Sequence, residues 1–158
     1  MPGRSKDEIV LISTNDSRIR SYTLRDKSMV CKYKGNVNQS SQIKASYSDD
    51  GEYIVAGSED NQVFIWNTNG KYKKSSLFSR KDHNKSYERF QSHACPVSVA
   101  VFAPSSVRNR MQSYGLRPIP DNPEQVMTDG QVLISAGLDG KIKIYENSSS
   151  LERWLASE

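Results

Sequence analysis

Three stretches of this chain carry the same order of hydrophobic and polar positions. They are Ile12–Tyr22, Ala56–Trp66 and Ser135–Tyr145, and they align without gaps. Each sets an Asp six positions before an aromatic residue: Asp16 before Tyr22, Asp60 before Trp66, Asp139 before Tyr145. Each also has a β-branched residue three positions after that Asp, namely Ile19, Val63 and Ile142. The Asp-to-Asp separations are 44 and 79 residues. Self-similarity on this scale points to a repeat architecture, in which one supersecondary unit recurs.

Within each copy the pattern predicts strand, tight turn, strand. Asp beside Asn or Gly tolerates the left-handed backbone that a hairpin turn needs. Val63, Phe64, Ile65 and Trp66 are apolar in succession, so that strand must be covered on both faces. Ahead of it, Ile43–Ser48 leads through Asp49-Asp50-Gly51 into Tyr53–Ala56, another hairpin. In the third copy Val97–Phe102 takes the first part, and Val132–Ser135 follows only after a long insertion. No segment sustains a 3.6-residue apolar period, so helices should be few.

Four short antiparallel strands in a unit of 44 residues are the pattern of one propeller blade. The expected architecture is all-β: a single partial propeller domain over 1–158. The first blade, 8–35, lacks an innermost strand and ends on Met29–Tyr33. The second, 41–92, is complete, with Tyr87–Gln91 outermost. The third, 93–147, ends after Lys141–Glu146 without an outer strand. Ten strands make about two and a half blades, whereas a closed propeller has at least four or so. A carboxyl-terminal piece of a larger propeller is therefore expected. The tail, 148–158, reads as a short helix or a frayed end, because Leu151, Trp154 and Leu155 share one helical face.

These motifs carry a resemblance. Trp66-Asn67 stands where WD-repeat proteins end a third strand, and Gly57-Ser58-Glu59-Asp60 resembles their second turn. Asn15–Arg20, Cys31–Gly35, Ser41–Ala45 and Val101–Pro104 resemble the last blades of the WD repeat-containing protein 44 family, roughly from residue 8 to 147. The resemblance implies a link to a Rab-type GTPase and to vesicle traffic. It also implies a hydrogen-bonded network in each blade, built from a His before the first strand, a Ser or Thr in the second, the turn Asp and the aromatic of the third. His93, Ser135, Asp139 and Tyr145 fall on those positions. The second blade keeps Asp60 and Trp66 but has Ala56 for the Ser, and Asn38 and Gln39 where the His would be. The first keeps Asp16 and Tyr22 but has Ile12 for the Ser. The network is thus expected complete at most once.

His93, Ser135 and Asp139 also invite a catalytic reading as base, nucleophile and orienting carboxylate. No nucleophile elbow of the Gly-x-Ser-x-Gly kind accompanies them, so the structural role is the expectation and no catalytic residue is assigned.

Charge modifies the picture in one place. The formal net charge is +4. Seven basic residues against two acidic ones give the segment from Lys71 to Gln91 a charge of +5, leaving the rest of the chain nearly neutral. The basic residues Lys71, Lys73, Lys74, Arg80 and Lys81 are interleaved with Tyr72, Phe78 and Tyr87, a composition that suits phosphates or acidic protein surfaces. Two insertions, 68–85 and 104–130, interrupt the strand pattern. Strand order sends both to the same end of adjacent blades. Tyr114 and Leu116 in the second are candidate anchors.

Leu, Ile, Val and Phe together make 33 of 158 residues, and 24 residues are serine, so a core-poor folded chain with polar loops is expected. The longest apolar run, Ile9–Ile12, is far short of the 20 or so residues of a membrane span. Two cysteines and two histidines make neither a disulfide framework nor a convincing zinc site. No metal, cofactor or small-molecule substrate is expected. The function expected is a non-catalytic, cytoplasmic protein-interaction scaffold with protein partners, a small GTPase or its effectors among them. It could sit peripherally on endosomal or Golgi membranes. The alternative is a charge-driven binder of nucleic acid or anionic membrane through 71–89, nucleic acid being the less favoured.

Overall fold

A computed structural model describes residues 8–68, 87–107, 110, 131–148 and 153–157, with the backbone alone at 147, 148 and 153–157. The repeat is visible first in its turns. The residue after each repeat Asp has a left-handed backbone: Ser17 at φ 58°, Asn61 at 70° and Gly140 at 73°. Asn and Gly take that conformation at little cost, and Ser at more. Gly51, at φ 69°, does the same for the Asp49-Asp50-Gly51 turn.

Each turn joins antiparallel strands. β1 (Ile9–Thr14), β2 (Arg18–Thr23) and β3 (Met29–Tyr33) form a three-stranded sheet in that order. β4 (Ala45–Tyr47), β5 (Tyr53–Gly57), β6 (Gln62–Asn67) and β7 (Tyr87–Gln91) form the second sheet. β8 (Val97–Phe102), β9 (Val132–Gly137), β10 (Ile142–Ser148) and β11 (Arg153–Ser157) form the third. The order within each sheet follows the chain, which is the meander of a propeller blade.

β11 corrects the sequence expectation. The tail over 148–158 is neither a helix nor frayed throughout, and the third sheet does not stop at its third strand. Arg153–Ser157 pairs antiparallel with β10, from Ile144 opposite Ser157 to Ser148 opposite Arg153. The free backbone groups along β10 supply a template that a helix-face reading of Leu151, Trp154 and Leu155 leaves out. The other strands lie where the pattern places them, except that β4 covers only Ala45–Tyr47 of the expected Ile43–Ser48.

The second sheet is buried on both sides, because strand side chains alternate between faces. Ile54, Ala56, Phe64 and Trp66 pack with Ile19, Cys31, Tyr33 and Ile43 toward the first sheet. Val55, Val63 and Ile65 pack with Val97, Ala100, Leu133 and Tyr145 toward the third. Full burial of each such aliphatic side chain contributes about 1.5–3 kcal/mol against solvent exposure. Gly57 permits the close approach of sheets two and three, since a Cβ there would lie 2.2 Å from the Val97 carbonyl oxygen. The described residues thus form an all-β stack of three blade-like sheets, a partial propeller.

Candidate functional site

The ends of the sheets present three polar arrangements. The first is centred on His93, which precedes β8 and is 2% exposed. Its Nδ1 lies 3.3 Å from Asp139 Oδ1, and its Nε2 lies 2.9 Å from Ser135 Oγ on β9. A ring proton on Nδ1 donates to the carboxylate, and Nε2 then accepts the Ser135 hydroxyl proton. Ser135 Oγ is also 2.8 Å from Ser92 Oγ. The Ser92 hydroxyl is 2.8 Å from the Tyr145 hydroxyl, which donates to the Ser92 carbonyl at 3.1 Å. Five side chains from the loop before β8, from β9, from the following turn and from β10 are therefore linked. Burial opposes ionisation of Asp139, yet the Lys141 amide, the His93 ring and Cys95 together hold its carboxyl below the usual range.

This geometry decides what the His–Ser–Asp trio can do. Ser135 is fully buried, and its hydroxyl is occupied on both sides by His93 and Ser92. A nucleophile must reach a substrate carbonyl, and this one has no solvent-facing surface. The linked groups satisfy one another's hydrogen-bonding capacity inside the sheet. Ser92 was not marked by the sequence pattern. It lies 43 residues from Ser135 and 53 from Tyr145, and only its place beside His93 hints at it.

The equivalent position in the second sheet is incomplete. Trp66 Nε1 donates to the Lys34 carbonyl at 3.0 Å, away from Asp60. Asp60 Oδ1, Asn38 Oδ1 and Asn36 Oδ1 are buried with no hydrogen-bond partner among the described residues. In the first sheet Asp16 turns outward instead. It pairs with Arg20 at 2.5 Å and accepts from the Thr14 hydroxyl. The Arg20 hydrogen bond, then that of Thr14, holds its carboxyl well below the usual range.

A second arrangement ties the first two sheets together through the loop before β4. The Glu59 carboxylate accepts the amides of Gln39, Ser40 and Ser41 at 3.1, 2.8 and 2.7 Å. Those donors, Ser40 first, hold the Glu59 carboxyl down at about 2. The Ser17 amide donates to the Asn38 carbonyl at 3.1 Å, and the Val37 amide donates to Ser58 Oγ at 2.8 Å. Nothing in the sequence pattern marks Glu59 for this.

The third arrangement lies at the opposite strand ends. The Asp49–Glu52 turn is flanked by the mouths of both insertions. Thr68, at one mouth, bonds to Gly51 and Glu52. Ser105, at the other, donates its amide to Asp49 Oδ2 at 2.6 Å. Gln131, where the chain returns, donates to Asp50 Oδ2 at 3.4 Å. A cleft of about 250 Å³ opens there, lined in part by Ser48, Asp50, Phe102 and Val132. The described rim is thus acidic rather than basic. Lys71, Lys73, Lys74, Arg80, Lys81, Tyr114 and Leu116 lie outside the described residues. Among the described residues no group of three or more His, Cys, Asp or Glu is placed to hold a metal, and no helix is long and apolar enough to cross a membrane.

Comparison with known proteins agrees with the sheets. The family model described as WD domain, G-beta repeat matches residues 27–67 and 125–146. WD repeat-containing protein 44 of Xenopus laevis is 40% identical over 159 residues, covering 93% of this chain and 17% of that protein. An uncharacterized WD repeat-containing protein of Schizosaccharomyces pombe is 36% identical over 42% of this chain and 11% of its own length. Periodic tryptophan protein 2 homolog of Dictyostelium discoideum is 26% identical over 77% of this chain and 9% of its own length. The chain therefore spans less than a fifth of each of these relatives, 17% at most. With its repeated turns and its three antiparallel sheets, this chain carries WD-type repeats and resembles WD repeat-containing protein 44.

Proposed function

We propose that this chain is a non-catalytic platform that gathers protein partners for a Rab-type small GTPase on cytosolic faces of endosomal or Golgi membranes. WD repeats are in general protein–protein interaction scaffolds without catalysis of their own. One observation carries the reading for this chain: both insertions leave the rigid sheets beside a single turn, Asp49–Glu52, which bonds to Thr68, Ser105 and Gln131. Long loops on a rigid scaffold are common sites of function. The link to a Rab-type GTPase and to vesicle traffic rests on the resemblance to WD repeat-containing protein 44.

The test is capture of Rab-type GTPases, loaded with GTP analogue or GDP, on the immobilised full chain. Nucleotide-selective capture supports the reading, since attraction of a basic segment to anionic surfaces alone would carry no nucleotide dependence. Reversing Lys71, Lys73 and Lys74 to Glu, or replacing Arg108–Pro123 by a short Gly-Ser link, should weaken it. Loss of capture on mutating Asn15 or Asn61 at the other end, with both insertion variants intact, overturns it.

A second reading is favoured by the clustering of charge: 71–91 holds seven basic residues. The chain would then bind anionic membrane through that segment. Its signature is liposome binding that falls steeply between low and moderate salt, with no nucleotide dependence.

A further inference from the structure

The loop between β3 and β4 is fastened by one side chain. Glu59 Oε1 accepts the amides of Gln39, Ser40 and Ser41, and the Ser40 hydroxyl donates to the same oxygen at 3.1 Å. Successive backbone amides aimed at one point form an anion-binding nest. A carboxylate spreads about four lone-pair sites over its two oxygens, yet here the three amides and the hydroxyl all meet on one of them. These donors suit an anion with more acceptor oxygens on the nest side. A phosphoryl group offers three strong ones.

The serine that can carry such a group stands inside the nest. Ser40 is exposed and lies outside every strand. Its loop runs between the first and second sheets and is tied to both. The Ser17 amide donates to the Asn38 carbonyl at 3.1 Å, the Glu59 amide to the Val37 carbonyl at 2.9 Å, and the Val37 amide to Ser58 Oγ at 2.8 Å. Phosphoryl oxygens built on Ser40 Oγ enter the space of Glu59 Oε1, which is 3.1 Å away. Glu59 cannot yield by taking a proton at neutral pH, because the nest holds its carboxyl down at about 2. Two anions then compete for one set of donors, and the phosphate carries about twice the charge.

We propose that Ser40 is a phosphorylation site, and that its phosphate takes the Ser40 and Ser41 amides from Glu59 and so unfastens the loop from the β5–β6 turn. A protein kinase with ATP supplies the group. Ser40 Oγ attacks the γ-phosphorus and forms the new O–P bond. The bond from that phosphorus to the oxygen bridging to the β-phosphate breaks, ADP leaves, and the hydroxyl proton passes to the kinase's carboxylate base. A phosphate placed next to a carboxylate disrupts by like-charge repulsion, and here it also removes the carboxylate's donors. The strand ends opposite the Asp49–Glu52 turn thereby gain about two negative charges, and the Glu59 carboxylate swings out beside them. This control of one end of the sheets stands independently of the small-GTPase reading.

Two measurements on the full chain test this. In the first, the chain is incubated with ATP and a cytosolic extract, and its peptides are read by mass spectrometry. Phosphate on Ser40 is expected, with a severalfold higher yield in Glu59→Gln, where the hydroxyl no longer serves a carboxylate. Absence of phosphate from Ser40 in both chains overturns the assignment. In the second, phosphoserine is encoded at position 40 and its phosphorus-31 signal is titrated. Amide donors favour the dianion, so its second pKa should fall well below the ordinary value of about 6. Amide exchange at Gln39, which loses its acceptor, should quicken about tenfold. A second pKa at or above the ordinary value means that Glu59 kept its amides, and overturns the displacement. Should the phosphorylated chain unfold, the same titration on phosphorylated Glu59→Gln decides, since the phosphate there meets no competing charge and its second pKa must still fall.

Discussion

Ser135→Ala is the sharpest probe of the buried network, because it removes one oxygen and leaves no large cavity. The Ser135 hydroxyl joins His93 Nε2 at 2.9 Å and Ser92 Oγ at 2.8 Å. After the change Ser92 still has Tyr145 within 2.8 Å, so it is not stranded. His93 is 2% exposed, and its Nε2 is left buried without a partner. Such a loss costs about 1–3 kcal/mol. His93→Leu alone takes one partner from Ser135, which keeps Ser92 at 2.8 Å, and one from Asp139, which keeps the Lys141 amide at 3.1 Å, so it should cost about 1 kcal/mol. The double variant removes both partners of one bond, so it should cost less than the sum, by roughly 1 kcal/mol. Urea unfolding measures the three energies, and amide exchange in β9 and β10 shows whether the loss is local to the third sheet. Additivity within about 0.5 kcal/mol would refute the coupled network. So would labelling of native wild-type Ser135 by a serine-directed phosphonate, since that requires a hydroxyl open to solvent.

Gly137→Ala should destabilise the same sheet by about 1–3 kcal/mol, as overpacking does, because its Cβ would lie 2.7 Å from Asp139 Oδ1 and 2.8 Å from His93 Nδ1; an unchanged unfolding midpoint would contradict the close packing. Glu59 is held at about 2 in the fold against 4.5 in an ordinary chain, so its contribution is present above about pH 4.5 and lost as pH falls through 2. Glu59→Gln should therefore flatten the stability profile in that window, and an unaltered slope would show that the three amides do not stabilise the carboxylate. Asn38→His with Ala56→Ser gives the second sheet the residue types of the third and offers Asp60 a donor. A gain of about 1 kcal/mol is expected in chemical denaturation, whereas a loss would mean that the space beside Asp60 cannot take an imidazole.

What was legible in the chain was what neighbouring residues decide. The three hairpins could be read because each turn needs a left-handed residue directly after an Asp, and Asn61 and Gly140 announce it. The two-sided burial of β6 could be read from Val63-Phe64-Ile65-Trp66, since such a run is unstable with either face wet. Long-range partners were harder to see. β11 forms because β10 offers it unpaired backbone, and nothing inside Arg153–Ser157 alternates strongly enough to say so. Ser92 acquires its place only when β9 and β10 arrive from more than 40 residues away. Glu59 looked like one polar turn residue among several until the loop over 39–41 folded onto it. His93, Ser135, Asp139 and Tyr145 were found together because the repeat carries positional information across those distances. The same positional equivalence exposes the second sheet's shortfall. Asn38 and Ala56 stand where the third sheet has His93 and Ser135, and the result is an Asp60 oxygen with no partner among the described residues. A repeat therefore foretells a network where the side chains match, and foretells an unsatisfied group where one of them does not.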